Sequence, residues 1–197
     1  MGSALTVDNI LGATTAAKVK LPAGSLLQTQ SFQGYNGDGT HTNLTVSSTT
    51  YGATAAAVSI TPKYSSSKIL VTFHGQGFYQ NGVVGNAIKL ALYKSVAGGS
   101  FPGVSGLNAG RVSEHIGYMN HANSSSLHQS SFQHLDSPAT TSALVYKIYI
   151  AMKTSGYARI AANTHDAFSI IAQEISCLLY TSPSPRDATL SRMPSSA

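Results

Sequence analysis

Seven histidines, His41, His74, His115, His121, His128, His134 and His165, are spread along the 197-residue chain. Imidazole is the side chain best suited to hold a metal or move a proton near neutral pH. The spacing gathers none of them into a ligand set. The chain has no His-x-His, no His-Glu-x-x-His and no Cys/His pair, whereas metal ligands on strands sit two residues apart or on a neighbouring strand. His134 and Asp136 do have the two-residue spacing, and a hydrogen-bonded surface pair accounts for it without a metal. A serine beside His165 and Asp166 could be assembled into a nucleophilic triad, but serine is too abundant here for that proximity to carry information. The Gly-x-Ser-x-Gly elbow is also missing. Asp136 with Glu114 or Asp166 could supply the two carboxyl groups of a glycoside hydrolase, a weak signal in a chain of seven acids. The glycines of "GQGFYQNG" lack the following Lys-Ser/Thr of a phosphate loop. The expectation is therefore a protein that is not an enzyme, with no catalytic residue, no cofactor and no metal.

The elements that must position these side chains are strands. Charged residues make up only 10% of the chain, and the abundance of β-branched and hydroxyl residues is a strand-forming composition. In "ALVYKIYIAMK", Leu144, Tyr146, Ile148, Ile150 and Met152 alternate with Val145, Lys147, Tyr149, Ala151 and Lys153, the pattern of a half-buried antiparallel strand. "NAIKLALYKS" places Ile88, Leu90 and Leu92 inward, with Lys89, Tyr93 and Ser95 outward or at the rim. "SKILVTFHGQGFYQNG" aligns Ile69, Val71, Phe73 and Tyr79, and Gly75 and Gly77 mark a bulge, a bend or a close backbone approach. Asn81-Gly82 is a turn signal. Val58 and Ile60 lie on a strand that Pro62 ends, and "AFSIIAQEI" carries apolar residues on both faces, as a central strand does. Asp136 and Ser137 can cap the turn before the strand at Leu144, with Pro138 fixing its φ. Roughly eight strands at this spacing predict a mainly β, antiparallel β-sandwich, with the jelly roll one of several topologies left open.

The formal net charge of +5 is diffuse, and scattered Lys and Arg do not make the basic strip of a nucleic-acid binder. No apolar run is long enough to span a bilayer. Residues 1–24 have a weak apolar pattern ending in Pro-Ala-Gly and are read as an N-terminal attachment arm; residues 25–176 form the sandwich domain. "SVAGGSFPGVSGLNAG", from Ser95 to Gly110, is the longest clear loop.

From Cys177 to Ala197 the composition changes, with three of the seven prolines and the only cysteine of the chain. "CLLYTSPSPRD" resembles the in-frame translation of a transposon sequencing adapter, and "SRMPSSA" resembles its flow-cell end. This resemblance implies that residues 177–197 are adapter read-through, a disordered tail outside the fold, with the true C-terminus lost beyond about Ile175.

"ALTVDNILGATTAAKVKLPAGSLLQ", "ITPKYSSSKILV", "LDSPATTSALVYKIYI" and "SIIAQEI" together resemble the small tail-fibre and virion structural proteins of uncultured, largely marine, tailed phages. The resemblance implies a virion protein, made in the bacterial host cytoplasm. Its sandwich, jelly-roll-like and assembled as a homotrimer, would contact host-surface glycan while the arm binds other virion proteins. No nucleic acid and no membrane insertion are expected. A purely architectural head or tail decoration is the alternative, and a virion-borne glycan hydrolase or lyase is a further one. Tyr79, Asn81, Phe101, Tyr118 and His121 are the candidate receptor contacts, chosen by loop position.

Overall fold

The computed structural model describes residues 23–35, 45–47, 49–81, 88–101, 126–153, 157–160 and 167–177. They form two antiparallel sheets and, among the described residues, no helix. The strands are β1 (Leu26–Tyr35), β2 (Thr45–Val46), β3 (Gly52–Ile60), β4 (Lys68–Asn81), β5 (Ile88–Val96), β6 (Ser126–Asp136), β7 (Leu144–Met152), β8 (Tyr157–Arg159) and β9 (Ala167–Ile175). The chain is a β-sandwich. Expected candidates Tyr118 and His121, the arm up to residue 22 and the tail beyond Cys177 lie outside the described residues.

The six-stranded sheet is organised around β4. Along one edge, β4 pairs with β6 over most of its length; along the other it pairs first with β9 (residues 68–75) and then with β8 (residues 79–81). β1 lies outside β9, and β2 outside β8. Between Gly75 and Phe78 the register against β6 slips by one residue, the bulge that Gly75 and Gly77 announced. The three-stranded sheet has β7 at its centre, flanked by β3 and β5. The Asn81-Gly82 signal falls where the chain leaves one sheet for the other, since β4 and β5 belong to different sheets.

Alternation explains how the layers meet. Ile69, Val71 and Phe73 of β4, Ile170 and Ala172 of β9, Ile88, Leu90 and Leu92 of β5, and Leu144, Tyr146, Ile148 and Ile150 of β7 are all buried between the sheets. Each fully buried aliphatic side chain there contributes about 1.5–3 kcal/mol. Phe32 and Phe132 pack against this core from β1 and β6.

Two expectations change. Ser95 is 2% exposed and not at the rim. Its hydroxyl donates to the Gly99 carbonyl at 2.6 Å, beneath a turn in which Gly98 adopts φ +77°. Asp136 does not cap the following turn: it is the last residue of β6, and its carboxylate is held between the sheets. The turn is closed instead by Thr140, whose Oγ1 accepts from the Ser142 N–H at 3.0 Å.

Candidate ligand-binding faces

Residues opposed in an antiparallel ladder share a face, so pairing alone assembles a row across four strands. Gln33 of β1 opposes Ser169 of β9, Ser169 opposes His74 of β4, and His74 opposes Ser131 of β6. The row lies on the outward side of the six-stranded sheet. In the next row Gly34, Phe168, Gly75 and Ser130 are aligned. Here Phe168 turns inward, 5% exposed, to meet Phe32 at a ring-centroid distance of 5.9 Å. The two glycines bring only backbone to this row, and both are buried. These rows, with Gln129 and Ala167, line a cavity of about 660 Å³, within the range of small-molecule sites. Among the described residues its lining offers amides, hydroxyls, one imidazole and backbone groups, and no carboxylate, Lys or Arg. Gln and Ser each both donate and accept, which suits a neutral polyhydroxylated ligand.

The outward side of the three-stranded sheet is different. In the β5–β7 ladder Tyr93 opposes Lys147 and Ala91 opposes Tyr149, which brings the two tyrosine rings to 4.2 Å between centroids. Tyr51 stands edge-on to Tyr93 at 6.0 Å, and Phe101 meets Tyr149 at 6.0 Å. The Lys147 ammonium lies 5.7 Å from the centre of the Phe101 ring, a cation–π geometry. On the neighbouring β3, Ala53 and Ala57 oppose Tyr149 and Lys147, so short side chains border the rings. Burial, with Tyr93 beside it, raises the Tyr149 hydroxyl pKa.

Between the sheets lie the two described carboxylates. Asp136, 4% exposed, accepts from Lys94 Nζ and from the Tyr146 hydroxyl, both at 2.7 Å. Burial first, then the bond to Asp136, pushes the Tyr146 pKa far up. His134 points to the same inner side, and its Nε2 is buried without a hydrogen-bond partner. Desolvation lowers its pKa, with Lys94 adding to the effect and Asp136 opposing it. The expected surface pair of His134 and Asp136 is therefore an interior group, because β6 turns His134 and Asp136 toward the other sheet. No cluster of three metal-binding side chains occurs among the described residues. Glu174, fully buried, accepts from the Lys63 and Tyr64 backbone N–H groups at 2.7 and 3.3 Å and from Gln28 Nε2 at 2.6 Å. Successive N–H groups of this kind form an anion-binding nest.

Of the expected contacts, Tyr79 and Asn81 are not in a loop: both lie on β4, opposite Arg159 and Tyr157 of β8, because the strand continues through the bulge. Phe101 is half-buried beside Tyr149 and Lys147. Sequence reasoning missed Gln33, His74, Ser131 and Ser169, which no local signal groups. It also missed Tyr51, Tyr93 and Tyr149, although the outward placing of Tyr93 and Tyr149 in their alternating strands was a usable signal.

No family model matches the chain, and no curated protein matches it. Among solved structures it is similar to the infectious bursal disease virus VP2 subviral particle, with TM-score 0.35, 9% identity, and 77% of this chain and 38% of that one covered. For the Gx strain structure of the same virus the TM-score is 0.32 and the identity 12%, covering 87% of this chain and 42% of that one. For the Gt strain structure the values are 0.32 and 10%, covering 96% and 52%. The chain spans about two fifths to half the length of these proteins. Likeness at this level carries no argument about function.

Proposed function

We propose that this is a virion structural protein whose sandwich attaches to glycan on the host surface, with the groove across β1, β9, β4 and β6 as the attachment site. The observation that carries the reading is the row Gln33, Ser169, His74 and Ser131 around a cavity of about 660 Å³. Among the described residues neutral donors and acceptors converge there without a carboxylate, Lys or Arg, and hydroxyl-rich sugars present the matching groups. Two of the sequence blocks that resemble phage tail-fibre proteins also have a physical place. "ITPKYSSSKILV" and "SIIAQEI" meet where Glu174 binds the Lys63 and Tyr64 amides. They belong to the scaffold that presents the groove.

The test is binding of the full chain to neutral oligosaccharides released from bacterial envelopes, beside the variants His74→Ala and Ser169→Leu, the latter filling the groove. Saturable binding weakened about tenfold or more in both variants, a loss of one or two good hydrogen bonds, supports the reading. A folded protein that binds none of them refutes it.

One observation favours a purely architectural role. Leu26 and Leu135, 52% and 48% exposed, oppose Ile175 and Leu70 on the outward side of the same sheet. An apolar strip there would seat the sandwich on a neighbouring virion subunit. In that case Leu135→Lys lowers incorporation into particles while the groove variants leave it unchanged.

A further inference from the structure

We infer that the aromatic face of the three-stranded sheet is a second carbohydrate site, one that takes an acidic polysaccharide and works independently of the neutral groove.

Its geometry is a chain of rings. Tyr51, Tyr93, Tyr149 and Phe101 follow one another with centroid separations of 6.0, 4.2 and 6.0 Å. Aromatic faces attract the C–H faces of sugar rings through the same dispersion and quadrupole terms that pair them with one another. A succession of rings suits a polymer better than a single sugar. The four are half-buried.

Charge supplies the specificity. Lys147 lies one row to one side of Tyr149 and Lys89, opposite Ala151, one row to the other. Among the described residues no carboxylate faces either of them, because Asp136 and Glu174 both point between the sheets, at 4% and 0% exposure. The whole chain carries a net charge of +5. Two lysines at register positions on either side of a stacking ring fit a polyuronate, two of whose carboxylates can reach them. They fit nucleic acid poorly, since two lysines neutralise two phosphates where specific nucleic-acid binders neutralise about 6–10.

The probe is a hexuronate oligomer, an oligogalacturonate of defined length, titrated into the full chain by calorimetry. A malto-oligosaccharide of equal length and poly(dT) are the comparison ligands, and the mass of the protein is measured by light scattering. Expected is saturable binding of the uronate oligomer, weakened about tenfold in Tyr149→Ala and Phe101→Ala through lost stacking and abolished in Lys147→Glu. His74→Ala is expected to leave it unchanged, so this site and the groove fail separately. Tyr149→Phe keeps the ring and is expected to bind within about twofold of wild type, which separates stacking from misfolding. The inference is overturned if the uronate oligomer does not bind, if Lys147→Glu binds it as wild type does, or if the neutral oligomer or poly(dT) binds as tightly. It is also overturned if the platform variants turn an oligomer into a monomer, which would make the face a contact between copies.

Discussion

Replacing Asp136 by Asn keeps the shape of the side chain and one acceptor oxygen but deletes the charge that Lys94 faces. The side chains of Lys94 and Asp136 are 16% and 5% exposed, so the pair is not a surface ion pair, whose removal costs about 0–1 kcal/mol. Removing one member of a buried pair costs about 3–5 kcal/mol, because the other charge stays in a low-dielectric site without compensation. The Asn oxygen can still accept from the Tyr146 hydroxyl, now 2.7 Å from the carboxylate, which places the loss near the lower end, about 3 kcal/mol. For a domain of this size that lowers Tm by about 6–12 °C. Urea unfolding followed by tyrosine fluorescence measures it, and a cycle with Lys94→Met isolates the pairwise part. The double variant removes both charges and is expected to be less destabilised than the two single losses added together, by about 2 kcal/mol. Single losses under about 1 kcal/mol that simply add would refute the view that this pair ties the sheets in a dry interior.

Two further outcomes follow from the same interior groups. Glu174→Gln replaces an acceptor-only group with one that also donates, against two backbone N–H donors and an amide. A loss of about 2–3 kcal/mol is expected, with faster hydrogen exchange at the Lys63 and Tyr64 amides; unchanged exchange would contradict it. His134 has its pKa lowered below the unfolded value of 6.5. Its neutral form is favoured in the fold, so its share of stability is complete above pH 6.5 and declines as pH falls through the folded pKa. Unfolding measured at pH 7.5 and 5.5 is expected to show a smaller acid loss in His134→Leu than in wild type, and equal losses would contradict the assignment.

What the sequence made legible depended on whether a strand's inner row was apolar. β7, β5 and β9 were readable because Ile148, Leu90 and Ile170 and their neighbours repeat every second residue. β6 was not, although it is equally regular. Its inner row holds His134 and Asp136 beside Phe132, so a hydrophobicity count finds no period, and no strand was read there. β1 hides in the same way, with Gln28 and Gln30 on the row that carries Phe32. The groove was illegible for another reason: Gln33, His74, Ser131 and Ser169 are far apart in the chain and meet only through the register of four strands. Phe101 was chosen for its place in a loop, and no local signal joined it to Tyr149 and Lys147, which the alternation of their strand had placed on its outer row.

The insertion of β9 between β1 and β4 also governs the order in which the protein can be made. Leu26 near the start pairs with Ile175 near the end, and Lys68 pairs with the same residue from the other side. Gly24 and Ser25 are bonded to Ser176. Until residue 175 has left the ribosome, β1 has no neighbour in its sheet among the described strands and β4 lacks β9 along one edge. Folding of the six-stranded sheet therefore waits for β9, and is slowed by contacts that span the domain. In the interval the unpaired edges of β1 and β4 are open to other nascent chains. Synthesis rate and chaperone supply would then set yield as much as the stability of the finished sandwich does.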